Sequence, residues 1–214
     1  MTINLEILES SYIYDPIQIE ELNTKELVPK MVTRRRLTRA SKIAIYLASK
    51  ISSKDERIVY GSSFGELEAT SNILHSINDK TMISPTHFQN SVYNTAISYL
   101  SMLNNNKSEI ITISSGVNTS LKVLQAGAIK ALDGDTISLF VIDALNIAKI
   151  DELNNCIDFL ECGVALKVKV TEEKETFDCE NISNNENFPK SLINMLNIAK
   201  SINKDKKNII KIKL

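Results

Sequence analysis

Tryptophan is absent from this chain, and glycine, proline and histidine number only six, four and two among its 214 residues. With so few glycines, neither G-x-G-x-x-G nor G-x-x-x-x-G-K occurs, which removes the common phosphate-cradling loops. The three cysteines, Cys156, Cys162 and Cys179, lie outside any C-x-x-C spacing and far from His75 and His87. No zinc site is therefore expected, and no cofactor motif is read. Neither sign of charge dominates: 25 Lys+Arg against 26 Asp+Glu leave a net charge of -1, too little field to gather nucleic acid or an anionic membrane. No apolar run reaches the roughly 20 residues of a membrane span, and the opening MTINLEILESS lacks the basic and apolar segments of a signal peptide. We accordingly expect a cytoplasmic protein. A hydrophobic content of 43% is enough to bury one real core, and one domain is preferred over two very small ones.

What is present reads as strands alternating with helices. Ile3 to Tyr14, β-branched and aromatic, predicts a strand ending at Asp15-Pro16. Leu37, Ala40, Ile43, Ala44, Leu47 and Ile51 recur at helical spacing and predict a helix over 34–51 with Thr33 as N-cap. A strand at 57–61, a helix over 66–77 and a third helix over 86–103 follow. The apolar runs 110–113 and 137–142 alternate poorly, as strands covered on both faces do. Between them, residues 118–132 are apolar on nearly every side, so this helix is expected between layers and not on a surface. A strand at 162–171, a polar loop at 172–187, a helix near 189–202 and an edge strand in Ile209–Leu214 complete the reading. The expected fold class is α/β, a mixed and largely parallel sheet with helices on both faces. Residues 1–171 form the domain, and 172–214 pack on it or extend it.

Three constellations carry possible chemistry. Gly61-Ser62-Ser63-Phe64-Gly65 fits G-x-S-x-G between a strand and a helix, the context of a serine-hydrolase elbow. Ser63 would need a positioned base, and only His75 and His87 follow it; the other reading is a tight glycine turn. Ser114-Ser115-Gly116 forms a second strand-to-helix turn, where free backbone N–H groups could hold an anion or where the serines, or Asn118, could cap the helix. Arg34, Arg35, Arg36, Arg39 and Lys42 place cations at a helix start, against the macrodipole. Either they meet an acidic partner or phosphate, or they pair with Glu20, Glu21 or Glu26. His87 and Tyr93, six residues apart, share no helical face and build no site.

Taken in order, RRRLTRASKIAIYLA, SSFGELEATSNIL, SPTHFQNSVYNTAISYLSM, ISSGVNTSLKVLQAGAIKAL and TISLFVIDA resemble the N-terminal half of a β-ketoacyl synthase. More closely, they resemble the short bacterial ketoacyl-synthase-like, chain-length-factor-type proteins of aryl-polyene and other type II fatty-acid or polyketide gene sets. The resemblance spans about residues 1–170. Its most specific parts are the three arginines, Gly65-Glu66-Leu67, and Ser91-Val92-Tyr93-Asn94, where members commonly have Ser-Val-His-Asn.

The resemblance implies a thiolase-like fold, here a single N-terminal half. In condensing enzymes the second turn carries a nucleophilic cysteine; the matching position falls on Ile113 to Ser115, and the two second-half histidines have no counterpart. The expectation is thus a noncatalytic subunit acting with a ketosynthase, or as a dimer with itself, and with an acyl carrier protein that the arginines would meet. Leu121, Leu124, Ala126, Gly127 and Ala128 would face the companion, and Glu109 to Ile113 would pair across a dimer axis as in the family. Two other readings stand beside it: a serine-dependent acyl transferase or hydrolase using Ser63, Ser114 or Ser115, and an acyl- or CoA-binding module.

Overall fold

The computed structural model describes residues 1–145, 147, 158–173, 188–205 and 208–214. Cys156, Cys179 and all but the first two residues of the expected loop at 172–187 lie outside the described residues. The strands are β1 (Thr2–Asp15), β2 (Arg57–Gly61), β3 (Ile110–Ile113), β4 (Ile137–Ala144), β5 (Glu161–Val170) and β6 (Ile209–Lys213). The helices are α1 (Thr24–Leu27), α2 (Met31–Arg34), α3 (Arg39–Lys50), α4 (Leu67–Asn78), α5 (Pro85–Asn90), α6 (Thr95–Asn104), α7 (Thr119–Lys130) and α8 (Ile193–Asp205).

One six-stranded sheet, in the order β3-β2-β4-β5-β1-β6, organises the chain. The sheet is mixed, but parallel pairing is confined to β3-β2-β4; the β4-β5, β5-β1 and β1-β6 pairs are antiparallel. "Largely parallel" therefore describes only half of it. The reason is that β5 and β1 alternate apolar and polar residues without revealing the direction of their neighbours. A register shift between Ile7 and Glu9 bends β1 where it changes from pairing β5 and β6 together to pairing β5 alone.

Period-two alternation divides the core. Val59, Leu139, Val141, Val164, Leu166 and Val168 face one layer, built from α7 and α8. Ile58, Tyr60, Phe140, Ile142 and Ala165 face the other, built from α1, α3 and α6. Every residue of β4 up to Asp143 is buried, as expected for a strand covered on both sides. The tail joins the same body: β6 pairs Ile210 with Leu5, and Met195, Leu196 and Ala199 of α8 lie in the first core layer.

Two helix boundaries differ from the periodicity reading. The helix expected from residue 34 begins at Arg39, because Thr38 and not Thr33 is its N-cap, accepting the Ser41 N–H at 3.1 Å. The helix expected over 86–103 is broken into α5 and α6, with Ser91 and Asn94 in the break. Asn90 holds that break together, its Oδ1 accepting the Tyr99 hydroxyl and its carbonyl accepting the Thr95 hydroxyl.

Candidate functional site

The β2→β3 crossover places α6 on one face of the sheet, while the β3→β4 crossover places α7 on the other. Diverging crossovers of this kind open a crevice at the carboxyl ends of parallel strands, the usual place for a ligand in an open α/β sheet. Both serine turns and Asp143, near the end of β4, lie at that end.

Asp143 is fully buried and collects four donors. Its Oδ1 accepts the Ser62 hydroxyl at 2.7 Å, the Ser63 N–H at 2.9 Å and the Phe64 N–H at 3.3 Å, and its Oδ2 accepts the Ser191 hydroxyl. Burial pushes its carboxyl above the ordinary aspartate value, and the hydroxyl and amide donors oppose that rise. Ser62 Oγ in turn accepts the Gly65 N–H at 2.8 Å. The G-x-S-x-G turn is therefore wrapped around a buried carboxylate. Its two glycines have packing and backbone causes: a Cβ on Gly61 would stand 2.6 Å from Val123 Cγ2 on α7, and Gly65 has φ +62°.

None of this activates Ser63, whose backbone N–H is held while no base among the described residues hydrogen-bonds its hydroxyl. His75 Nδ1 lies 2.9 Å from the Ser71 carbonyl within its own helix, and no histidine hydrogen-bonds Ser63, Ser114 or Ser115 among the described residues. Cys162, the free thiol of the described residues, is buried, and burial holds its thiol well above the usual cysteine value, the wrong direction for a nucleophile.

At the second turn, three donors are met by the chain itself. Ser115 N–H donates to Thr119 Oγ1 at 3.1 Å, the Thr119 hydroxyl donates to the Gly116 carbonyl at 2.7 Å, and Ser120 N–H donates to the Ser191 carbonyl at 2.8 Å. Asn118 occupies the N-cap position without a side-chain bond, so the capping expected of Asn118 or the serine pair is done by the Ser191 carbonyl, which accepts the Ser120 N–H. Ser191 closes the crevice from both sides, with its hydroxyl on Asp143 and its carbonyl on the first turn of α7.

Beside this cluster, Glu66 is buried at the start of α4, with Oε1 accepting the Thr38 hydroxyl at 2.8 Å. Burial raises its pKa to about 7, repulsion from Glu68 adds to the rise, and the Thr38 hydrogen bond opposes it. The folded state thus binds a proton that the unfolded chain releases near 4.5, so this group's contribution to stability declines as pH rises from 4.5 to 7. Glu66→Gln keeps an oxygen for Thr38 and removes the charge. It should raise unfolding free energy relative to wild type by up to about 3 kcal/mol above pH 7 and by little below pH 4.5, measured by urea unfolding across that range.

The arginines separate. Arg39 pairs through Nε and Nη2 with the fully buried Glu161, which also accepts the Ile19 N–H at 2.8 Å; Nη2 donates to the Ile19 carbonyl as well. Arg34 donates to the carbonyls of Val28 and Pro29. Arg35 and Arg36 alone of the four are exposed. The upstream pairing expected with Glu20, Glu21 or Glu26 is thus replaced by Glu161, which lies 122 residues beyond Arg39. Because α3 begins at Arg39, Arg34 to Arg36 precede the helix and do not oppose its dipole.

The apolar helix also divides. Leu124, Gly127 and Ala128 are buried within this chain, and a Cβ on Gly127 would stand 2.4 Å from Leu139 Cδ2. Gly127 thus approaches the chain's own sheet closely, and Leu124, Gly127 and Ala128, expected to face a companion, are covered from within; Leu121 is exposed and Ala126 half-buried. The more exposed apolar surface lies on α4 and α5 and their connection, where Leu74, Ile77, Met82 and Phe88 project into solvent. Sequence reasoning passed over Asp143, Ser62, Ser191 and Glu161. Asp143 ends the apolar run SLFVIDA, which is the one local signal that a carboxylate is being carried into the core.

Among the described residues no group of side chains is placed to hold a metal ion, and no helix is long and apolar enough to cross a membrane. The family model for the β-ketoacyl synthase N-terminal domain matches residues 13–208. No curated protein matches the sequence. Among solved structures, the chain is similar to one from Xenorhabdus doucetiae, described as the ketosynthase ApeO in complex with its chain length factor ApeC. That match has 17% identity and a TM-score of 0.71, and it covers 97% of each chain. The ishigamide ketosynthase/chain length factor matches at 12% identity and TM-score 0.63, over 80% of this chain and 63% of that one. AntDE:AntF, a type II acyl-carrier protein in complex with its ketosynthase, matches at 11% identity and TM-score 0.64, over 79% and 64%. At such identities the likeness is one of fold, and it is the thiolase-like fold of the ketosynthases, of which these residues form one N-terminal-half unit. With the family model covering most of its length, the chain belongs to the β-ketoacyl synthase N-terminal domain family.

Proposed function

We propose that the protein is a noncatalytic ketosynthase-like subunit of the chain-length-factor kind. It would assemble with a ketosynthase, or with a second copy of itself, in the cytoplasm and serve fatty-acid, aryl-polyene or polyketide synthesis together with an acyl carrier protein. The observation that carries this reading is the turn after β3. It offers Ile113, Ser114 and Ser115 where the family's thiol would stand, and the Ser115 and Ser120 N–H groups are taken up by Thr119 Oγ1 and the Ser191 carbonyl. A turn satisfied in this way has no oxyanion-stabilising N–H left to offer at Ser115 or Ser120. Residues 1–171 and 172–214 act as one unit in this reading, because β6 and α8 complete the sheet and core that begin with β1.

Assembly is supported by the sheet edge. β3 is a terminal strand, and its inner side is set by the Ile58 N–H donating to the Glu109 carbonyl and the Ser62 N–H donating to the Ile113 carbonyl. By the two-residue period of a parallel ladder, Glu109, Ile111 and Ile113 bond inward, and Ile110 and Thr112 direct N–H and C=O outward. Exposed apolar side chains on α4 and α5 mark a second surface of the kind partners cover. The carrier protein would meet Arg35 and Arg36.

The test uses that edge. Thr112→Pro removes one outward N–H and no inward one, so the isolated chain should keep its circular-dichroism spectrum while its dissociation constant from a co-expressed ketosynthase, or from itself, rises at least about tenfold. Unchanged association in Thr112→Pro, with the fold intact, would sink the β3-edge assembly.

A further inference from the structure

On the helical layer formed by α1, α2, α3 and α6 lies an open groove of about 700 Å3 that shares no residue with the turn cluster around Asp143. Its volume falls within the roughly 300–1,000 Å3 of small-molecule sites. The buried side chains of Ile45, Ala48, Tyr99 and Leu100 contribute its apolar floor. Apolar side chains carry the lining out to solvent, Val32 65% exposed on one side and Met102 66% exposed on the other, beside the polar Thr33, Ser49, Ser53 and Asn104. Tyr99 contributes its ring, because its hydroxyl is taken by Asn90.

Charge at the groove is one-sided. Lys30 and Arg36, both exposed, line it, and no aspartate or glutamate does, in a chain whose acids outnumber its bases by one. Nor is the wall loose. The Arg34 guanidinium holds the α1–α2 connection through the carbonyls of Val28 and Pro29, at 2.8 and 2.6 Å, so the groove is shaped before any ligand arrives.

We infer that this groove binds a free amphipathic monoanion, an alkyl chain ending in a carboxylate or sulfonate. The chain lies along Ile45, Ala48 and Leu100, and the head group meets Lys30 and Arg36. The inference does not rest on the subunit role, which is carried by the turn after β3 and the sheet edge; the two readings share Arg36 alone.

Titration of the full chain with octanoate, decanoate and dodecanoate below their micellar concentrations, followed by calorimetry and protein NMR, tests it. One-to-one saturable binding is expected, with affinity rising about threefold to fourfold per added methylene and shifts centred on α3 and α6. Decyl alcohol, which has no charge, should bind about threefold to tenfold more weakly than decanoate, and Arg36→Glu should weaken decanoate by a similar factor. Val32→Asp should weaken every chain length. Arg35→Glu, outside the groove, should leave dodecanoate unaffected while it weakens any carrier-protein contact, so the two readings fail separately. Thermal melts matching wild type establish that each variant is folded. No saturable binding of dodecanoate, affinity independent of chain length, or wild-type affinity in Arg36→Glu would each overturn the inference.

Discussion

Asp143→Ala should destabilise the protein by about 4 kcal/mol, because it leaves two buried serine hydroxyls and two backbone N–H groups without their acceptor. Against total stabilities of about 5–15 kcal/mol, such a loss takes away much of the folded population at physiological temperature. Asp143→Asn separates the causes. Its carbonyl oxygen can still accept from Ser62, Ser63 and Phe64, and its amide can donate to Ser191 Oγ once that hydroxyl turns away. A loss of only about 1 kcal/mol is expected, read from denaturant midpoints at constant slope. Equal losses in the two variants would mean that the charge, and not the hydrogen-bond acceptor, holds the turn.

Arg39→Ala should cost about 3–5 kcal/mol, the range for stranding one member of a buried ion pair, because Glu161 is fully buried and loses its bidentate partner. The double variant Arg39→Met with Glu161→Gln should recover most of that loss, since the glutamine oxygen still accepts the Ile19 N–H and no buried charge remains. Arg35→Ala and Arg36→Ala, both on exposed side chains, should stay within about 0.5 kcal/mol of wild type. The contrast separates the structural Arg39 from the exposed Arg35 and Arg36. Were Arg39→Ala as mild as the other two, the ion pair would not be holding β5 to the segment before α1.

How much of this was legible in the sequence depended on the range of the interaction concerned. The strands at 57–61 and 110–113 were readable because three or four consecutive apolar or β-branched residues, Ile58 to Tyr60 and Ile110 to Ile113, stand between turn signals and leave little choice. The start of α3 was misread by several residues because Thr33 and Thr38 look alike as caps; what selects Thr38 is its hydroxyl bridging Ser41 and the buried Glu66. Asn90 likewise looks like an ordinary helix-ending residue until Tyr99 comes within reach of its side chain. The sheet's antiparallel half was hidden for a different reason. The alternation in β1 and β5 says which side chains point inward, while strand direction is settled by chain connections that carry no local pattern.

The candidate site shows the same divide. G-x-S-x-G was visible, but its meaning lay in Asp143, 80 residues beyond Ser63, and in Ser191 a further 48 residues on. The resemblance to ketosynthases captured the family. It gave no sign that Leu124, Gly127 and Ala128 would be covered from within, because an all-apolar helix looks the same whether its cover is its own sheet or a second subunit.

The most direct test is a condensation assay with acyl- and malonyl-loaded carrier protein, comparing this chain alone, a partner ketosynthase alone, and the two together. The account predicts no β-ketoacyl product from the chain by itself, and product from the pair at or above the level of the ketosynthase alone. Turnover by the purified chain on its own would contradict it.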